Sequence, residues 1–264
     1  MISKNPLTKK EFIIYDTIKS TCSLITNREI KDLFPLYKNQ SINEILSSLI
    51  KKKYLINIER SKYIINKSYS LEELFSIATS INYGYIAFSS ALYYYGLIDY
   101  EPFTIFIVNS KKSKSYTLND NYVVKYINIK SKLVCYTENK NGFYVSTLEK
   151  TIFDCFYNVS YSGGYSCISK AIFDCNNKID WNMLLDIYNK FASNRQCQIT
   201  GYILDILVET AKIKIPKKVI SNFLNKVKSR TYLSNNYDKS NYKYISKWKL
   251  KDNIGKSKIL SWWY

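Results

Sequence analysis

Gln40, Asn43, Glu44, Ser47 and Lys51 recur at intervals of three, four and seven or more residues, the spacing of one face of a helix. Their amides and hydroxyl can read hydrogen-bonding edges, and the lysine can neutralise a phosphate, so the chemistry on offer is recognition of a polyanion. The catalytic alternatives are thin. The chain has no histidine, which removes Ser-His and Cys-His nucleophilic pairs. Cys22, Cys135, Cys155, Cys167, Cys175 and Cys197 include no C-x-x-C pair, which argues against a zinc site. Asp99, Glu101 and Asp120 lie near strand-like runs, and carboxylates beside a lysine could hold Mg²⁺ in a nuclease-like domain. Acidic residues at strand ends are more often solvated loop positions, and no spacing here is diagnostic. The expectation is a protein that is not an enzyme, with no cofactor and no metal.

The elements that must position the recognition residues run from Thr26 to Asn66. Thr26 precedes Glu29 by three residues and Ser41 precedes Glu44 by three, the reciprocal signature of two helix starts. Ile30, Leu33 and Phe34 form the apolar stripe of the first helix; Ile42, Ile45, Leu46, Leu49 and Ile50 form that of the second. Pro35 lies in the turn between them. Lys51, Lys52 and Lys53 lead into an alternating run, Tyr54 to Glu59, which returns from Tyr63 to Ile65 as a hairpin. With a further helix from Thr8 to Ser20 upstream, the pattern is that of a winged helix-turn-helix: a recognition helix followed by a basic hairpin. A plain helical hairpin with a solvated polar face is the bland alternative.

Charge supports the first reading. The formal net charge of +18 divides as +7 over residues 1–70, −1 over 71–211 and +12 over 212–264. Basicity at both ends of a near-neutral middle points to polyanion contact, nucleic acid first. The 26 tyrosines carry no functional weight by number, because A+T-rich codons would supply them. A stacking platform for single strands would need aromatic residues on one positively charged face, which a linear sequence does not display. Leu74 to Ile98 contains no charge over a length that could span a bilayer, but Thr79, Ser80, Asn82, Ser89 and Ser90 dilute it and Asn82-Tyr83-Gly84 breaks it. Two shorter buried elements are expected, and no membrane partner. The opening MISKNPLTKKEF lacks the apolar core of a signal peptide, so a cytoplasmic protein with reduced cysteines is expected.

Downstream, helices are predicted at Leu71–Thr79, capped by Ser70, and at Ser89–Tyr95, ended by Gly96. Strands are predicted at Phe103–Val108 and Tyr122–Ile129, and a hairpin joins Leu133–Thr137 to Gly142–Ser146 through the turn Glu138–Asn141. Helices then open at Ser146-Thr147-Leu148-Glu149 and after Gly163-Gly164, run over Asp180–Phe191 and Gln196–Ala211, and end with one started by Pro216. The tail, Thr231 to Tyr264, alternates Lys with aromatics and is expected to return to the sheet as short strands. The fold class is α+β: a winged helix-turn-helix over residues 1–68, then a larger mixed α/β domain over 69–264.

Three segments resemble a known family. Ile86 to Leu97, with Ser90-Ala91-Leu92 and Gly96-Leu97, resembles a segment of the AbiEi-type antitoxins. Phe143 to Cys155, with Glu149-Lys150 and Asp154, looks like that family's strand-then-helix element, and Tyr232-Leu233 with Lys247 to Leu250 is similar to its C-terminal element. The matches follow the family's order along nearly the whole chain, with two departures. Tyr95 stands where the family usually has histidine, and the wing tip Arg60-Ser61-Lys62-Tyr63 lacks a glycine before the aromatic. The resemblance implies a repressor and antitoxin of a type IV system. It would bind inverted repeats in double-stranded DNA upstream of its own gene and counteract a nucleotidyltransferase toxin without a stable complex. A stand-alone regulator with a protein- or ligand-docking C-terminal domain is the alternative. The candidate DNA contacts are Arg28, Lys38, Asn39, Gln40, Ser41, Asn43, Glu44, Ser47, Lys51, Lys52, Lys53, Arg60 and Lys62. Of these Gln40, Asn43 and Ser47 would meet base edges, and Lys38, Lys51, Lys52, Lys53, Arg60 and Lys62 would hold phosphates.

Overall fold

Apolar stripes at helical and strand spacing build a mixed α/β fold in the computed structural model, which describes residues 5–21, 24–118 and 122–263. Cys22 and Asp120 lie outside the described residues. By compactness the chain divides into two units, one of residues 1–86, 103–129 and 139–144, the other of residues 87–102, 130–138 and 145–264. The N-terminal module expected over 1–68 is contained in the first, together with the strands that follow it.

That module runs α1 (Lys9–Thr21), β1 (Leu24–Thr26), α2 (Asn27–Leu33), α3 (Asn39–Lys51), β2 (Leu55–Glu59), β3 (Lys62–Ile65). Its sheet has the order β1-β3-β2, and both pairings are antiparallel. Ile14, Ile18, Ile25, Ile30, Ile42, Leu46, Leu49, Leu55, Tyr63 and Ile65 close one core between the three helices and the sheet. Thr26 caps α2 reciprocally with Glu29 as expected, and Thr8 exchanges the same pair of bonds with Glu11 at the start of α1. The start of α3 differs. Lys38, not Ser41, is its N-cap and makes no side-chain capping bond, so Ser41 and Glu44 lie inside the helix. Residues 39 and 40 are as helix-competent as those after them, so the helix extends back to where the turn after Pro35 releases it.

The rest of the first unit comprises α4 (Leu71–Ile81), β4 (Tyr85–Ile86), β5 (Thr104–Asn109), β6 (Lys114–Thr117), β7 (Val123–Asn128) and the tip of a hairpin, β8 (Thr137–Lys140) and β9 (Phe143–Ser146). Sheet order runs β6-β7-β5-β4 and then the hairpin. Strands β5 and β7 are parallel over six residue pairs, although the sequence showed few signs of parallel crossovers, and β6 was not foreseen. Its Lys-Ser-Tyr-Thr sequence carries no apolar alternation, because it is a half-exposed outer strand paired only to β7. The β8–β9 turn is Asn141-Gly142, both with positive φ, rather than the four residues 138–141. Gly84 lies close to β5: a Cβ there would come within 2.5 Å of the Val108 carbonyl oxygen.

In the second unit, α5 (Phe88–Tyr94) and α6 (Leu148–Tyr157) carry most of the first two segments of the family resemblance, and both are largely buried. Glu149 accepts the Asp180 N–H at 2.9 Å, and fully buried Lys150 is ion-paired with Asp154 one turn on. Tyr95 donates its hydroxyl to the Ser146 carbonyl at 2.7 Å. The motif residues therefore hold the core. Four helices follow, α7 (Gly164–Cys175), α8 (Trp181–Phe191), α9 (Asn194–Ala211) and α10 (Lys217–Asn225). The tail forms a sheet of its own, not a return to the first one: β10 (Thr231–Tyr232), β11 (Lys243–Ile245) and β12 (Leu250–Asp252) are ordered β10-β12-β11, before a short α11 (Lys256–Ile259). The charge-free stretch Leu74–Ile98 divides into α4, β4 and α5, and among the described residues no helix is long and apolar enough to cross a membrane.

Candidate nucleic-acid interface

Helix α3 buries Ile42, Leu46 and Leu49 and turns Asn39, Gln40, Asn43, Glu44 and Ser47 outward. Hydrogen bonds order this face. Asn27, at the start of α2, donates to Asn43 Oδ1 at 3.0 Å, Gln40 donates to Glu44 Oε1 at 3.1 Å, and the Ser47 hydroxyl returns to the Asn43 carbonyl at 2.8 Å. The Asn43 Nδ2 has no partner among the described residues. Asn27 thus fixes the amide orientation that presents donors outward, the geometry needed to meet an acceptor on a base edge.

Cations gather at one end of the face. A cleft of about 600 Å³ is lined by Arg28, Lys31 and Asp32 of α2, Asn39 at the start of α3, and the hairpin tip Arg60-Ser61-Lys62. The hairpin turn is only two residues, Arg60 and Ser61, and the glycine missing from it is not required. Ser61 itself adopts the left-handed conformation, φ 64°, and its carbonyl accepts the Asn27 N–H at 2.9 Å. Arg28 meets Asp32 at 4.0 Å with side chains 92% and 73% exposed, too solvated to immobilise either. Lys31, three residues after Arg28 on α2, was absent from the sequence-based set; its helical spacing from Arg28 was the signal that could have found it. Asn27 had no such signal, because its partner lies sixteen residues away.

Thirteen side chains were expected to contact DNA, and the fold divides them. Arg28, Asn39, Arg60 and Lys62 border the cleft, while Lys38, Lys51 and Lys53 are exposed around α3. Lys52 and Lys62, both expected to hold phosphates, are bonded within the protein. The Lys52 ammonium bonds both carboxylate oxygens of buried Glu11, at 3.0 and 2.8 Å, and the Pro6 carbonyl. Burial pushes the Glu11 carboxyl up, but Lys52, Ser48 and Thr8 outweigh it and hold it at about 2. Lys62 bonds the Ile81 carbonyl and pairs with Glu59 at 3.2 Å. Glu59 also accepts from Lys114 at 2.6 Å and Tyr116 at 2.8 Å; the Lys114 ammonium above all holds its carboxyl at about 2. Ser41 is half-buried inside α3.

Of the carboxylates considered for a metal, Asp99 faces Lys170 at 3.4 Å and Asp120 lies outside the described residues; among the described residues no three His, Cys, Asp or Glu side chains converge to hold a metal ion.

The class defined by these elements is a mixed α/β protein with eleven helices and three sheets among the described residues. Its fold is similar to that of the RV2827C protein from Mycobacterium tuberculosis, with a TM-score of 0.68 at 11% identity over 98% of this chain and 96% of that one. At that identity the likeness speaks for the fold alone. No family model matches the chain, and no curated protein does.

Proposed function

We propose that this protein is a DNA-binding transcriptional repressor whose N-terminal module is a winged helix-turn-helix. Helix α3 is its recognition helix and the β2–β3 hairpin its wing. The observation that carries the reading is the outward row Asn39, Gln40, Asn43 and Ser47, bordered by the cleft where Arg28, Lys31 and Arg60 converge. The element order α1-β1-α2-α3-β2-β3 supports it, since this order buries one side of the second and third helices and leaves α3 free to enter a major groove. Asn43 and Gln40 read base edges, while Arg28, Lys38, Lys51, Lys53 and Arg60 hold phosphates.

The resemblance to AbiEi-type antitoxins extends the proposal. The target is inverted repeats upstream of the protein's own gene, in the cytoplasm, and a nucleotidyltransferase toxin encoded alongside is counteracted without a stable complex. Among the described residues Cys135, Cys155, Cys167, Cys175 and Cys197 are free thiols, which fits that reducing compartment.

A salt-titrated mobility-shift assay on the upstream duplex against a random duplex tests the first part. Asn43→Ala should relax sequence preference by roughly 1–3 kcal/mol while leaving random-duplex affinity in place. Joint Lys51→Gln and Lys53→Gln should weaken both duplexes and lower the salt slope by roughly 0.9 per charge. Equal effects of both changes on both duplexes would remove α3 from recognition. Rescue of growth on co-expression with the neighbouring gene product tests the second part; no rescue leaves a stand-alone regulator.

A further inference from the structure

The second unit carries an aromatic and cationic face that DNA reading by α3 does not use. In the tail sheet Tyr232 is the register partner of Lys251, and Lys251 is the partner of Tyr244, so the three side chains form one row on one face. Tyr242, two residues before Tyr244, projects to the same face, its ring 5.6 Å from that of Tyr232. The Lys251 ammonium lies 4.8 Å from the ring centres of both Tyr232 and Tyr242. Lys239 sits 5.5 Å from the Tyr232 ring, and the Arg230 guanidinium 5.4 Å from the Tyr244 ring. Tyr242 and Tyr244 remain 40% and 42% exposed.

The opposite face accounts for the core. Leu250 is buried there, and Asp252 accepts the Tyr202 hydroxyl at 2.8 Å. The nearby Asp238 carboxylate is engaged by Ser240 at 2.6 and 2.9 Å. Among the described residues no carboxylate pairs with Arg230, Lys239 or Lys251. A lysine that merely guards a sheet edge belongs on an outer strand, whereas Lys251 lies on β12, the middle one.

We propose that this outer face binds single-stranded nucleic acid, with Tyr242 and Tyr244 stacking on bases and Arg230, Lys239 and Lys251 taking up phosphates. Aromatic rings on a positively charged face are what a single strand requires, because its bases are free to stack on protein. A duplex offers no such bases, and an acidic protein would be met by the cations without need of the tyrosines.

Fluorescence anisotropy of the full-length protein with labelled (dT)12 and U12 tests the site, and the two oligomers separate DNA from RNA. Saturable binding of at least one is expected. The pair Tyr242→Ala and Tyr244→Ala should weaken it at least about tenfold, whereas Tyr242→Phe with Tyr244→Phe keeps it within about twofold. Joint Lys51→Gln and Lys53→Gln should leave it in place. Should the alanine pair fail to fold, Arg230→Gln with Lys239→Gln must lower the single-strand salt slope. Absence of saturable binding, undiminished affinity in the alanine pair, an unchanged slope in the glutamine pair, or loss of binding with Lys51 and Lys53 would overturn the assignment. The last result would transfer the binding to the N-terminal module, and the first would leave the face to an acidic protein.

Discussion

Lys51, Lys52 and Lys53 are adjacent and chemically identical, yet they have different roles. Lys51 and Lys53 are exposed, whereas Lys52 turns back to Glu11 and joins α3 to α1. Lys62 similarly joins the hairpin to Ile81, and pairs with Glu59 within it. Lys52→Gln and Lys62→Gln should therefore lower thermal stability, Lys52→Gln by about 1–3 kcal/mol, with little change in the salt slope of DNA binding; calorimetry beside the shift assay separates the two effects. The carboxylates give a pH signature. Glu11 and Glu59 are held at about 2, below the ordinary 4.5, so their folded pKa values are depressed. Stability from such groups is fully present above about pH 4.5 and is lost as pH falls towards 2, because the unfolded chain takes up the proton first. Acid titration followed by circular dichroism should show the N-terminal module weakening in that window, and Glu11→Gln and Glu59→Gln should flatten the dependence while lowering stability near pH 7.

Among the elements, α9 shows how closely a helix can be tied to a sheet. Trp248 lies fully buried over Gly201, where a Cβ would come within 2.2 Å of the indole, and its Nε1 donates to Asp205 at 2.7 Å. Gln198, one turn earlier, donates to the Trp248 and Lys249 carbonyls. Gly201→Ala should therefore destabilise by about 1–3 kcal/mol or more despite its favourable helix propensity, read as a lower denaturation midpoint. The caps at Thr26 and Ser70 were legible because they depend on residues three apart. Strand β6 was not, since its support comes from β7 and from the Glu59–Lys114 pair fifty-five residues away.

Charge acts on the molecule as a whole. A net charge of +18, with +12 in the last 53 residues, means that α3 and its hairpin are not the only cations that a long duplex can meet. If the protein binds DNA as proposed, random-duplex binding should keep a substantial salt slope after Lys51 and Lys53 are neutralised, while the preference for the upstream duplex should fall with Asn43→Ala. A shift assay over a series of salt concentrations reads both.

By itself the sequence determined what short-range physics controls: the helices with clear apolar periodicity, most of their caps, the order of the three N-terminal helices and the hairpin though not strand β1, and the polar row on α3. Those features follow from contacts a few residues apart, where type and spacing suffice. Tertiary structure alone decided which lysines are free and which are bound to Glu11 and Glu59, that Asn27 orients Asn43, that the tail folds as its own sheet, and that Tyr232, Tyr242, Tyr244 and Lys251 share one face. Long flexible side chains choose partners by proximity in space, and strand register is set by the neighbouring strand, so neither is written in local spacing.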